Sequence, residues 1–190
     1  MENWVDKLRA YLLVSLIIFA SSALLGCYVG LAYPGLTENF VEKLRESFAP
    51  LSDQDPLQLA LIILLNNAVK CLGAVLLGPL FGLAPIALGT INGFVLGLVS
   101  IAVSEARGSF YIVVAIAPHG VLEVPAMLLS IAIGLREGWL LVRKLNGEKV
   151  ELKREVKAGL SLYVKLVLPL LIAAAFTESF ITPLLMEIIF

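Results

Sequence analysis

The sequence predicts an all-α fold, a polytopic transmembrane bundle of about five spans with short amphipathic helices at the membrane interface. Hydrophobic residues occupy 59% of the 190 positions and charged residues 15%, whereas a soluble domain is about half apolar and a quarter charged. The apolar residues fall into five runs, and crossing about 30 Å of hydrocarbon takes roughly 20 helical residues. We therefore expect residues 1–190 to form a single integral membrane domain in the lipid bilayer.

The predicted spans cover residues 8–33, 57–80, 85–103, 110–134 and 159–179. Span one stops before Pro34, because proline cannot continue a helix. Asp55 is placed to cap span two, with Pro56 at its first helical position. Pro85 opens span three after a glycine turn, and a short polar connection from 104 to 109 leads into span four.

Two charged connections are predicted to form amphipathic helices on the membrane surface. Between spans one and two, four apolar residues recur at helical spacing among charged ones, with Thr37 as the N-cap. The charged segment 136–165 carries an imperfect apolar stripe and leads into span five. The tail 181–190 is apolar but too short to cross a bilayer, so we expect a capping or partly re-entrant segment.

The positions of lysine and arginine predict the orientation, because cytoplasmic connections carry an excess of both. One side would carry Lys7, Arg9, Arg136, Arg143, Lys144, Lys149, Lys153, Arg154, Lys157 and Lys165, and the other Lys43, Arg45 and Arg107. We expect a multi-pass protein of the cell (plasma) membrane with its N-terminus in the cytoplasm and its C-terminus outside. The net charge of -1 gives little support to nucleic acid binding.

Polar residues within the spans give the strongest functional signal. They include Lys70 and the predicted intramembrane polar site of His119, Glu123, Glu178, Asn66, Asn67 and Asn92. An Asp, Lys or Arg at the centre of a membrane helix costs about 2.5 to 3.5 kcal/mol, so such groups normally face a protein interior or a wet cavity. His119 and Glu123 are four residues apart and would share one helix face.

The segment around this pair is predicted to be kinked or locally unwound. Pro118 and Pro125 bracket the pair and each removes a backbone hydrogen bond, while Gly120 adds flexibility or permits close approach by another backbone. Membrane helices that are interrupted in this way build ion and substrate sites.

The polar site is also consistent with helix packing or with a bound metal ion. Hydrogen bonds between helices would account for it, and a metal ion would need His119, Glu123 and Glu178, a sparse set beside typical zinc sites. Cys27 and Cys71 have no metal-binding spacing, and HExxH, Gly-x-Ser-x-Gly and phosphate-loop patterns are absent. We therefore expect no catalytic residue, no metal and no cofactor.

Gly89, Gly93 and Gly97 recur every four residues in span three and predict a helix-packing face. Small residues at this spacing let membrane helices approach closely. The partner could be another span or a second copy of the chain. A homo-oligomer, most simply a dimer, is expected because five spans enclose little volume.

Taken together, these motifs resemble the stage II sporulation protein M family of small multi-span membrane proteins. The matching features lie within about residues 60 to 185: Asn66-Asn67, the glycine turn around Gly78 and Gly82, Asn92-Gly93, His119-Gly120 with Glu123 and Pro125, Gly134-Leu135-Arg136, and the run from Glu178 to Pro183. Thr177 departs from the apolar residue expected before that final glutamate. The resemblance implies a helical membrane fold and, in spore-forming bacteria, a part in an engulfment complex with cell-wall hydrolases. It gives no catalytic residue.

Three functional hypotheses follow from the sequence. In the first, the polar site forms part of an ion or small-solute pathway, as in a channel or transporter. In the second, the protein is a non-catalytic assembly component or scaffold that recruits membrane or envelope partners. The third, an intramembrane metal-dependent hydrolase, has the least support.

Labelling of single cysteines from each side of intact cells tests the predicted orientation. We expect cysteines placed between residues 143 and 157 to react only with reagents that cross the membrane, because the basic connection is assigned to the cytoplasm. Labelling of that stretch by an impermeant reagent added outside would reject the orientation.

Overall fold

The structure, a computed structural model, describes residues 4–48 and 54–190. In these ranges the chain forms six helices and no strand: α1 (Trp4–Ala32), α2 (Pro34–Phe48), α3 (Pro56–Leu76), α4 (Leu83–Arg107), α5 (Ser109–Leu145) and α6 (Leu152–Ile189). All except α2 are long and apolar enough to cross a membrane. The predicted all-α bundle of about five spans is confirmed.

α4, α5 and α6 extend well beyond the spans that the sequence predicted. α4 continues to Arg107 and α5 begins at Ser109, so Gly108 alone replaces the polar connection expected from 104 to 109. Gly108 has a φ of 89°, which glycine adopts without strain. α5 continues beyond 134, and α6 joins the expected interfacial helix, span five and the apolar tail into one element.

α5 and α6 form a long helical hairpin. They contain 37 and 38 residues, and a rise of about 1.5 Å per residue makes each roughly 55 Å long, well beyond the hydrocarbon thickness of about 30 Å. We call the end with their connection, residues 146–151, the Asn146 end of the bundle and the opposite end the Gly108 end. Arg143 Nε donates to Glu148 Oε2 at 2.8 Å beside that connection, and this bond holds the pKa of Glu148 below its usual value.

The start of α3 agrees with the sequence, and the start of α2 does not. Asp55 Oδ2 accepts a hydrogen bond of 3.2 Å from the backbone N–H of Leu57, and Pro56 is the first residue of α3. The N-cap assigned to Thr37 was wrong, because α2 already begins at Pro34. Thr37 is buried and its hydroxyl donates to the carbonyl of Tyr33 at 3.1 Å. Proline, which needs no N–H at the first helical position, starts this helix instead.

The predicted glycine face of α4 packs against α1. A Cβ atom added at Gly93 would overlap the carbonyl oxygen of Phe19, and one at Gly97 would overlap that of Ala23. α1 contributes a glycine of its own, since a Cβ at Gly26 would overlap the Phe94 carbonyl oxygen. The partner of this face is therefore another span of the same chain, and the face gives no support to a dimer.

A second set of glycines joins α5 to the turn between α3 and α4. A Cβ at Gly134 would overlap the carbonyl oxygen of Ala74, and one at Gly138 would overlap the backbone nitrogen of Gly82. Gly78 in the turn meets the Gly134 backbone in the same way. This backbone contact fixes α5 near the Asn146 end, and the buried core of the bundle continues from it through Val75, Ile131 and Ile133.

The outer surface of the bundle is apolar along the spans. Ile17 in α1, Val69 in α3 and Val121 in α5 are 65%, 67% and 70% exposed. In water this exposure would be unfavourable, whereas in a bilayer the lipid chains cover it. The exposed apolar side chains therefore mark the lipid-facing surface.

The contact between α1 and α4 yields a matched pair of substitutions. We expect Gly97→Ala to lower the free energy of unfolding in detergent by about 1–3 kcal/mol, because its Cβ would meet backbone atoms that cannot yield. Gly73→Ala makes the same chemical change in α3, where no atom lies within 4 Å of the added Cβ. This control should unfold as the wild type does or later, since alanine favours helix by up to about 1 kcal/mol. Equal stability of the two variants would contradict the contact.

Candidate functional site

α5 carries His119 and Glu123 through an unbroken helix. The predicted unwinding at Pro118, Gly120 and Pro125 was wrong, because α5 is helical from Ser109 to Leu145, while a kink there stays a prediction. Each proline still leaves the carbonyl four residues earlier without its helical donor. Prolines persist in membrane helices where neighbouring helices and small local adjustments compensate for the freed groups. α5 packs against α1, α3, α4 and α6, so it has such neighbours.

A departure from regular α-helical geometry occurs in α6, where none was predicted. Two wide, π-helical turns interrupt it at Tyr163–Val167 and Thr177–Ile181. Pro169 and Pro183 follow them closely, and each ring would clash with a carbonyl four residues back, which lies in the wide turn. An extra residue in the turn relieves such a clash, and turns of this kind frequently mark functional sites. Glu178 lies in the second turn.

Three ionisable side chains from these two helices meet within the membrane-spanning part of the bundle. One ligand-type atom from each of His119, Glu123 and Glu178 lies within 4.8 Å of the other two. All three side chains are partly buried, and the Nδ1 atom of His119 is enclosed without a hydrogen-bond partner. We call these three residues the α5–α6 cluster.

The α5–α6 cluster contains two carboxyl groups and only one basic side chain. Glu123 feels the like charge of Glu178, together with the opposite charges of His119 and of Lys70 on α3. Lys70 forms no ion pair with any residue in the described part of the chain, so it acts on Glu123 from a distance. The cluster thus holds two carboxyl groups and one imidazole, with Lys70 outside it.

The three predicted asparagines lie apart from the contacts of this cluster. Asn66 donates to the side chain of Asn67 at 3.3 Å, and Asn92 donates to the Leu88 carbonyl of its own helix at 2.8 Å. The structure thus brings together the ionisable half of the predicted site. The amide half forms local hydrogen bonds.

A large groove runs along α4 beside α2 and α3. Its volume is about 1070 Å³, and it extends from Leu77 at the Asn146 end to Arg107 and Tyr111 at the Gly108 end. The lining is mostly apolar, with Lys70 and Asn92 as polar groups between the ends. Lys70 therefore lies in the groove and also acts electrostatically on the α5–α6 cluster.

A second buried ionisable group, Glu137, was not predicted from the sequence. This side chain is 1% exposed, both of its carboxylate oxygens lack a hydrogen-bond partner, and it contacts α6 where Gly159 leaves space. The adjacent Arg136 bonds Glu155 of α6 at 2.7 Å. Glu137 was missed because the predicted span four ended at residue 134, before this side chain. The spacing of Gly134 and Gly138 was the available signal that the buried helix continues.

Comparison with known proteins gives the family. The family model described as Stage II sporulation protein M matches residues 15–183. The chain belongs to this family. Two proteins similar to this chain come from Methanocaldococcus jannaschii. Each is named an uncharacterized protein. One is 32% identical over 200 residues, covering 100% of this chain and 89% of the relative. The other is 31% identical over 124 residues, covering 63% and 69% respectively.

No solved structure matches this chain. The stage II sporulation protein M motifs can nevertheless be placed in the fold described above. The glycine turn at Gly78 and Gly82 packs on Gly134 of α5, and His119 and Glu123 of α5 meet Glu178 of α6. Family motifs that are far apart in the sequence thus meet in one packing contact and in one cluster.

Proposed function

We propose that this protein provides an intramembrane pathway for cations, with the α5–α6 cluster as the point where the ion binds. The observation that carries the proposal is the convergence of His119, Glu123 and Glu178 within 4.8 Å on two membrane-spanning helices. Ionisable groups are rare at such depth and normally serve ion or proton pathways when they occur. A transported cation would offset the repulsion between the two carboxylates.

In this proposal the ion approaches the cluster from the groove along α4, which is lined by Lys70 but by none of the three cluster residues. It begins beside Arg107 and passes Asn92 and Lys70, so polar groups recur along a largely apolar channel wall. Lys70 is exposed to the groove and acts electrostatically on Glu123. In this proposal Lys70 regulates how strongly Glu123 attracts a cation, and the ion passes between α3 and α5 to the cluster.

The proposed pathway involves no catalysis. Its direction depends on how the chain is oriented in the membrane. We infer that the N-terminus is cytoplasmic and the C-terminus outside, because basic residues concentrate at the Asn146 end. The cluster then lies in the outer half of the membrane: α5 starts at the Gly108 end, and Glu178 lies close to the end of α6. No covalent step is needed for its residues to attract and release an ion.

Cation flux into liposomes tests the pathway. We expect Glu123→Gln to reduce flux about tenfold, or to change the ion preference, because a loss of about 1.4 kcal/mol at the barrier has that effect on a rate. The variant should keep the wild-type helical content and thermal unfolding midpoint. Glu187→Gln changes an exposed glutamate of the hairpin's other helix, α6, and should leave flux unchanged.

Two results would count against the pathway. The first is wild-type protein that conducts no more than empty liposomes do. The second is a Glu123→Gln variant with normal flux and a lowered unfolding midpoint, which would assign the cluster to helix packing.

The second candidate function, a non-catalytic assembly component, is favoured by the same groove. Small residues, among them Ala84, Ala87, Ala102 and Ala106, line one side of it along α4. Small side chains let another membrane helix approach closely. In this alternative the groove receives a helix from a second copy of the chain or from an envelope partner.

Cysteine cross-linking in membranes tests the groove. Cys71 is buried and can stay, while Cys27 is replaced by alanine and a new cysteine is placed at Ala102. We expect a cross-linked homodimer from Ala102→Cys if a second copy fills the groove, and a product of another mass if a different protein does. Val121→Cys on the lipid-facing side of α5 is the control and should not cross-link. Equal reactivity of both variants would reject docking in the groove.

A further inference from the structure

We infer that the α5–α6 cluster is a binding site for a divalent transition-metal ion, with one ligand each from His119, Glu123 and Glu178. This rests on the function proposed above, in that it takes the same cluster as the cation site and names the class of cation. It differs from the expectation drawn from the sequence, in which this set of three ligands was too sparse for a metal.

The geometry supports a three-ligand site. Metal–ligand bonds of about 2.0–2.2 Å place neighbouring ligand atoms roughly 3–4 Å apart, and the three atoms already lie within 4.8 Å of one another. Small side-chain rotations would close the remaining distance. Two of the ligands are fixed on one face of α5, and the wide turn Thr177–Ile181 carries the third on α6.

The hydrogen bonding around the cluster points to a missing ligand. His119 Nδ1 is enclosed yet has no hydrogen-bond partner, and an unsatisfied buried polar atom carries a free-energy cost. Glu123 and Glu178 lie close together with no bonded counter-charge, since Lys70 forms no ion pair within the described ranges. A divalent cation would offset the charge of both carboxylates, and if it bound through Nδ1 it would give that atom a partner.

The donor atoms select the class of metal. Imidazole nitrogen favours zinc, iron, cobalt and related ions, while carboxylate oxygen is accepted by these ions and by magnesium, calcium and manganese. A mixed set of one nitrogen and two oxygen ligands therefore favours a transition metal over magnesium or calcium. Three protein ligands leave at least one coordination position open for water or for the next ligand along a pathway.

Cobalt(II) titration of the purified full-length chain in detergent tests the site without any transport assay. We expect one equivalent of Co²⁺ to give a visible absorption band, which excess Zn²⁺ removes and excess Mg²⁺ does not. His119→Gln and Glu178→Gln should each weaken Co²⁺ binding about tenfold or more, at least as much as the loss of a supporting hydrogen bond to a ligand does. Glu187→Gln, the matched exposed glutamate of α6, should bind as the wild type does.

The outcomes separate this inference from the proposed pathway. A wild-type protein that binds no Co²⁺, or whose binding is unchanged in both cluster variants that remain folded, overturns the metal site. Monovalent cation flux that depends on Glu123 without Co²⁺ binding would support the pathway and overturn the metal site. Co²⁺ binding that needs His119 and Glu178, in a protein without flux, would support the metal site and overturn the pathway.

Discussion

Close contact between helix backbones is the constraint on which the rest of this bundle depends. In a bilayer the lipid is as apolar as the side chains, so helices associate through van der Waals packing that small residues permit. Gly93 and Gly97 bring α4 onto α1, and Gly134 and Gly138 bring α5 onto the turn after α3. These contacts leave no space for a Cβ atom. They fix α1, α4 and α5 relative to one another, and the remaining helices pack around them.

The α5–α6 cluster lies between two points at which α5 and α6 contact each other. Towards the Asn146 end, Arg136 bonds Glu155 at 2.7 Å, and the Glu137 side chain fills the space left by Gly159. At the Gly108 end, the ring of Phe190 contacts those of Phe110 and Tyr111, with centroids 6.0 and 5.1 Å away. Between these points the wide turn around Glu178 changes the side-chain register of α6. The position of Glu178 opposite α5 therefore depends on the whole hairpin and not on local sequence alone.

Sequence signals predicted the structure correctly at the start of α3 and along the glycine face of α4, but not at Thr37 or in the proline-bracketed segment of α5. Asp55 and Pro56 fixed the start of α3, because capping needs only neighbouring residues. The proline-bracketed segment of α5 was predicted to be kinked or locally unwound, yet α5 stays helical, and the wide turns lie in α6, which depends on how each helix packs. Glu137 was missed for a related reason. A charged pair such as Arg136 and Glu137 usually marks a membrane boundary. Here Gly134 and Gly138, on either side of the pair, keep α5 packed against the turn between α3 and α4.

The composition of the cluster supports the proposed cation site over a structural clamp. A clamp is stable when each polar group has a partner, because unsatisfied groups in a low-dielectric interior lose their hydration without compensation. Here His119 Nδ1 has no partner, and two carboxylates lie beside each other with Lys70 acting only from a distance. By contrast, Arg136 and Glu155 elsewhere on the same two helices do form a direct ion pair. Glu137, beside this pair, is also unpaired, so missing partners alone do not indicate a ligand. The convergence of three ligand-type atoms in the cluster is what supports the proposed cation site.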